Sequence, residues 1–431
     1  MIGLIITSII DISIVKINDL IDKYFLPLQD KLMLFAVNSS ICLLLQFFLI
    51  RYIHTSFQRD RLNRTLKIKA IYAVSLLSLC ILAGLIGFLI LQQFYDSFYD
   101  TSIVIFIIAL SYGTAAGFVI WLSLLFFSWY KSTHDMVVLL YFISMSVIAF
   151  NLAMTAAFTS VKVNDRPQLA IEYVGSSGDL SGGRHQLLDS IYRISSFMSF
   201  FSLWLTTAIL MNSYRERLIN AILYWVVLSI PLVYFIVSYF YQFILGNILV
   251  SYLEIDPVSV SILLGAFLAL SKPIGGLLFG VVFWNTSRTV AYEKNIKTYM
   301  IISGWGILLI FSSNQAATQI VSPYPPFGLV TLTILVSASY LMLLGIYNSA
   351  TLVSANNELR RSIHKHAFES KLLGPIGHAE MEKEIQKTVE QVTRDKYNLE
   401  KDLEEPVELD ETELEKYMKF VIEEVKKGSK V

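Results

Sequence analysis

The sequence predicts an all-α protein: a polytopic membrane bundle of about nine spans, N-terminus outside and C-terminus inside, with a helical cytoplasmic tail. Three observations predict it. Of 431 residues, 55% are hydrophobic and only 16% charged, where soluble domains carry about 25% charged residues. Apolar runs recur at lengths near the roughly 20 residues needed to cross a bilayer. Basic residues fall in alternate loops, and about half of all charge lies beyond residue 350.

Residues 1–30 precede the first long run. Ile2, Ile5, Ile6, Ile9, Ile10, Ile14, Ile17 and Ile21 recur near the helical period, with Asp11, Asn18, Asp19 and Asp22 between them. This pattern predicts an amphipathic helix lying in the outer interface, stopped before Pro27, with a short true span as the alternative. No basic start or Ala-x-Ala site marks a signal peptide.

Residues 31–348 hold the expected spans: about Leu32–Ile53, Ala70–Leu91, Ile103–Phe127, Met136–Phe158, Ile191–Met211, Ile219–Leu245, Pro257–Trp284, Tyr299–Ser313 and Phe327–Tyr347. The eighth is the weakest, running into Ser312, Ser313, Asn314 and Gln315. Arg51, Arg59, Arg61, Arg64, Lys67 and Lys69 follow the first span, and Lys131, Arg215, Arg217, Arg288, Lys294 and Lys297 occupy later loops on the same side. The intervening short loops, 92–102, 246–256 and 314–326, lack Lys and Arg. This bias places the basic loops and the tail in the cytoplasm of a cell whose plasma membrane the bundle crosses. Gly113-x-x-x-Gly117 and Gly276-x-x-x-Gly280 predict close helix approaches. Cys42 and Cys80 both fall inside spans, as packing residues rather than a disulfide or metal pair. The Gly-rich loop 159–190 reads as a flexible connection, since the Lys-Ser/Thr of a phosphate loop is missing.

Lys272 is the one charge near the middle of any of these expected spans, Arg51 and Arg193 standing at span ends, and Pro273, Gly275 and Gly276 follow it. An ionisable group at membrane depth marks a candidate site, and Pro-Gly chemistry loosens the helix there. No Asp or Glu lies in a span to pair with it. Its candidate partners are Asn151, Asn314 and Gln315, with Ser111, Thr114, Thr206 and Thr207 as further polar groups, alongside freed carbonyls, water or a bound anion. The plainer reading is an ammonium satisfied by carbonyls at the kink; the sharper one is a ligand or ion site.

Residues 349–431 form the charged tail. A stripe of Leu352, Leu359, Ile363 and Phe368 continues the ninth helix until Gly374-Pro375-Ile376-Gly377 breaks it. A second helix carries Met381, Ile385, Val389 and Val392 on one face. A third, capped by Asp410, carries Leu414, Met418, Val421 and Val425. These faces need a cover: each other, the bundle or a protein partner, including a second copy. His364, His366 and His378 are weak metal candidates, because a His-x-His pair on a helix points its rings to different faces. The stretch NNELRRSIHKHAFESKLLGPIGHAEMEKEIQKTVEQV, with the preceding spans, resembles a group of multi-span membrane proteins from ammonia-oxidising archaea. That group has no established activity, so the resemblance implies a habitat and no mechanism.

No kinase core, metallohydrolase motif or nucleophile elbow is present, so the sequence predicts neither an enzyme nor a cofactor. Balanced tail charge argues against nucleic acid, leaving the lipid bilayer and a protein as expected partners. Two function classes follow. One is a sensor or adaptor that couples the bundle to the tail helices. The other is a secondary transporter or channel built on a broken seventh span around Lys272.

Overall fold

The structure, a computed structural model, describes residues 1–11, 28–58, 66–96, 99–164, 183–212, 221–244, 270–289, 294–317, 325–356 and 372–402. Among these the chain is helical throughout, with no strand. In order the helices are α1 (Ile2–Asp11), α2 (Leu28–Gln58), α3 (Leu66–Asp96), α4 (Thr101–Thr133), α5 (Met136–Asn164) and α6 (Gly183–Met211). Then come α7 (Ala221–Ile244), α8 (Ser271–Thr289), α9 (Lys294–Ala317), α10 (Leu329–Ala355) and α11 (Leu373–Asp402).

Seven of them, α2 to α6, α9 and α10, are long and apolar enough to cross a membrane. In lipid a spanning helix is the element that satisfies its own backbone, so the apolar runs become helices. The expected sixth span corresponds to α7, with Pro231 inside it. The first part of the expected seventh span lies outside the described residues, and α8 begins at Ser271.

The helix α10 is the axis of the bundle. Its residues Leu329 to Ile346 are all buried, with Thr331, Thr333, Ser337 and Ser339 among them. The helices α9 and α4 pack along it, α2 and α3 close another side, and α11 lies across its tail end. The pairs α4–α5, α5–α6 and α8–α9 complete the wall, with α7 resting on α8. Faces turned outward keep large apolar residues such as Phe48, Leu77, Phe106 and Phe150, as lipid contact requires.

The weakest expected span becomes a full helix. Ser312 returns its hydroxyl to the Leu308 carbonyl (2.9 Å), and Asn314 bonds across to α5. Ser312 and Asn314 are therefore satisfied inside the bundle, and the polar residues there do not terminate the helix.

Helix α1 is set into the bundle. Leu4, Thr7, Ser8 and Asp11 are buried, Asn38 of α2 donates to the Thr7 carbonyl (3.4 Å), and Asp11 accepts from Thr331 of α10. Ile2, Ile6, Ile9 and Ile10 face outward. The sequence pattern found the two faces, but the polar face meets protein here, where an interfacial helix would turn it to water.

Close approach is concentrated on α9. A Cβ at Gly304 would stand 2.8 Å from the Gly280 carbonyl oxygen, and one at Gly306 would stand 2.7 Å from the Met342 nitrogen on α10. Of the two glycine pairs expected to draw helices together, Gly276 and Gly280 do so against α9. Gly113 and Gly117 do not: the space beside each is open for 4 Å, because their face of α4 meets no neighbour. Gly306→Ala is therefore expected to destabilise the bundle by about 1–3 kcal/mol, the cost of forcing backbones apart. Gly117→Ala should be neutral or stabilising by up to about 1 kcal/mol through helix propensity. Equal melting of the two variants in detergent would refute this packing.

Candidate functional site

Lys272 stands in the first turn of α8 with only 5% of its surface exposed. Its ammonium donates to the Tyr192 hydroxyl of α6 at 3.4 Å and lies 5.6 Å from the centre of the same ring. Tyr192 is held by Phe158 of α5, stacked at 4.6 Å and 4° between planes. One turn along α6, Ser195 donates to the Tyr192 carbonyl (2.9 Å) and accepts from Asn151 Nδ2 of α5 (3.0 Å). Asn151 Oδ1 accepts from Asn314 Nδ2 of α9 (2.9 Å), and Asn314 Oδ1 accepts from the Tyr112 hydroxyl of α4 (3.2 Å).

A polar ladder thus runs from Lys272 through α6, α5 and α9 to α4, and every side chain in it is buried. Tyr112 lies about 16 Å along α4 from Thr101, so the ladder sits well inside the bundle. Each amide both donates and accepts, so a concerted half-turn of Asn151 and Asn314 reverses the direction of the bonds, whereas a half-turn of one alone would set like groups against each other.

Aromatic rings pack against α8 one turn beyond Lys272. Gly275 lies so close to the Phe200 ring that a side chain there would collide with it. Phe200 stacks on Phe235 of α7 (4.1 Å) and meets Phe279 and Phe311 edge-on. Gly276 packs against the Leu308 backbone, where a Cβ would come within 3.2 Å. Glycine is needed at both positions for packing. Pro273 falls in the first turn of α8, where a missing N–H breaks no helical bond.

Of the residues the sequence proposed, Asn151 and Asn314 meet each other and reach Lys272 through Ser195 and Tyr192. Gln315 sits half-buried near the end of α9. Thr114 turns to α3, donating to Ser78 (3.3 Å) and the Leu110 carbonyl. Thr206 pairs with Ser144 (2.9 Å) farther along α6, and Ser111 is buried with no hydrogen bond to its hydroxyl. Tyr192, Ser195 and Tyr112 were missed. The signal existed: Tyr192, Ser195, Ser199, Ser202 and Thr206 mark one polar face of α6 at helical spacing.

At the tail end, α11 docks on the same α4 that carries Tyr112. Trp129 Nε1 donates to Glu380 Oε2 (2.7 Å), Ser132 to Glu382, and Lys383 to Ser128 (3.3 Å). On α10, Ser354 donates to Glu384 (3.3 Å), and Gly377 lies against Val353 too closely for any side chain. Leu372, Leu373, Ile376 and Ala379 join the bundle's core. Gly374-Pro375-Ile376-Gly377 therefore opens the second tail helix, with Met381 buried and Ile385 and Val389 half-buried.

His378 meets Glu382 of its own helix (3.5 Å); His364 and His366 lie outside the described residues, as do Leu414, Met418, Val421 and Val425. Among the described residues no three His, Cys, Asp or Glu side chains converge as a metal site would require. No protein-family model, curated protein or solved structure matches the chain.

Proposed function

We propose that the protein is a membrane sensor or adaptor in which the state of the Lys272 ladder is passed along α4 and α10 to the tail helix α11. The observation that carries this reading is the double role of α4. Tyr112 closes the ladder, and Trp129 of the same rigid helix holds Glu380 of the tail. A ladder whose amides can reverse supplies two discrete arrangements, and a shared helix supplies the connection that coupling needs. The positive-inside bias adds the frame: about nine spans in the plasma membrane, the N-terminus outside and α11 at the cytoplasmic face.

Asn151→Leu, which cuts the ladder at its centre, tests the coupling. With spin labels on cysteines placed at Lys387 in α11 and Ser160 in α5, the label-to-label distance distribution should shift relative to the parent protein. Unchanged distributions in a variant that melts normally would end the sensor reading. Transport centred on Lys272 is the second reading, supported by the buried ammonium beside a helix start. Substrate flux in proteoliposomes that is lost in Lys272→Met would favour it.

A further inference from the structure

A second buried polar seam runs on the other side of α10, away from Lys272. It starts at Asp11, which is fully buried and takes both the backbone N–H (2.9 Å) and the hydroxyl (2.7 Å) of Thr331 on Oδ2. Among the described residues its Oδ1 makes no hydrogen bond. Two residues further along α10, Thr333 accepts from Gln46 Nε2 of α2 (2.8 Å), and one turn beyond it Ser337 donates to Gln46 Oε1 (3.2 Å).

Tyr340 follows Ser337 at helical spacing, fully buried, its hydroxyl making no hydrogen bond among the described residues. On α3, which packs against α10, the Tyr72 ring stacks on His54 near the end of α2 (3.6 Å, 7°). Buried polar atoms left without protein partners in a row with hydroxyls and an amide are the lining that ordered water requires. A lone carboxyl set into such a bundle is a proton-exchanging group by default.

We propose that this seam is a proton path, with Asp11 as its proton-binding carboxyl at one end, His54 at the other, and bound water completing the file between them. A proton taken up on Asp11 Oδ1 passes to water held by Thr333 and Ser337, while Gln46 orients that water through its amide. The water beside Tyr340 delivers the proton to the His54 imidazole, which releases one from its other nitrogen. Among the described residues the Cys42 thiol feels the charge of Asp11, and His54 feels that of Lys69. The seam uses α1, α2, α3 and α10, so it stands independently of the Lys272 reading.

The test is proton flux through the full chain in liposomes with an entrapped pH-sensitive dye, driven by a potassium diffusion potential. The parent protein should change the dye signal well above the protein-free rate. Asp11→Asn, which keeps an oxygen for Thr331 to bond, should slow it by about a hundredfold or to the protein-free rate. Should Asp11→Asn melt abnormally, Gln46→Leu decides, since it removes the water's anchor and leaves Asp11 in place. Gly117→Ala, on an open face of α4, should conduct like the parent. A parent protein at the protein-free rate overturns the proposal, as does normal flux in well-folded Asp11→Asn or Gln46→Leu. Loss of flux in Gly117→Ala overturns the assignment to this seam.

Discussion

Trp129→Ala is expected to cost the bundle about 3–5 kcal/mol, in the range for emptying a buried indole site. Trp129 has no exposed surface, packs edge-on against Phe126 (5.3 Å) and gives its N–H to Glu380. Truncation opens a cavity and also strands a largely buried carboxylate. The tail helix should therefore leave its seat, and trypsin should cut at Lys383 and Lys387 far faster than in the parent. Trp129→Phe fills much of the volume and loses the charge-assisted bond alone, about 1.5–3 kcal/mol. Stability and cleavage unchanged in Trp129→Ala would show that α11 is held elsewhere.

Lys272→Met is expected to melt as high as the parent or higher, by up to about 3 kcal/mol, because an ammonium with one hydroxyl partner among the described residues is poorly repaid for leaving water. Methionine keeps most of the volume among Phe200, Tyr192 and Pro273. Lys272→Glu should lose about 3–5 kcal/mol, since an uncompensated charge replaces a group that Tyr192 can meet. If the ladder carries a signal, Lys272→Met should also detach tail position from the state of Asn151, and Lys272→Arg should fail to restore it. Thermal unfolding in detergent reads the first effect. A Lys272→Met protein several degrees less stable would make the ammonium a structural tie.

Much of the site was within reach of the sequence, and its missing parts have identifiable reasons. Lys272 stood out because charge at membrane depth is rare, and Asn151 and Asn314 because amides there need partners. Tyr192 escaped notice as an amphipathic ring near a span's edge, where belts of tyrosine are ordinary. Asp11 escaped because its periodic helix read as interfacial until Thr331 and Asn38 were seen to cover its polar face. The two glycine pairs read identically along the chain, yet Gly276 and Gly280 touch α9 while Gly113 and Gly117 face open space.

The sequence by itself picked out the seven stretches that form helices long and apolar enough to cross a membrane, among about nine it expected, and it singled out Lys272. Those are local properties: a backbone in lipid must bond within its own segment, and composition over about 20 residues decides it. Only the tertiary structure decided that α10 is the axis and that Asn151 meets Asn314 across 163 residues of chain. It also decided that Tyr112 closes the ladder across 202 residues and that Trp129 seats the tail across 251. Lipid gives no strong preference for which apolar faces meet. That choice falls to close packing at a few glycines and to hydrogen bonds between distant residues, whose pairing no local pattern encodes.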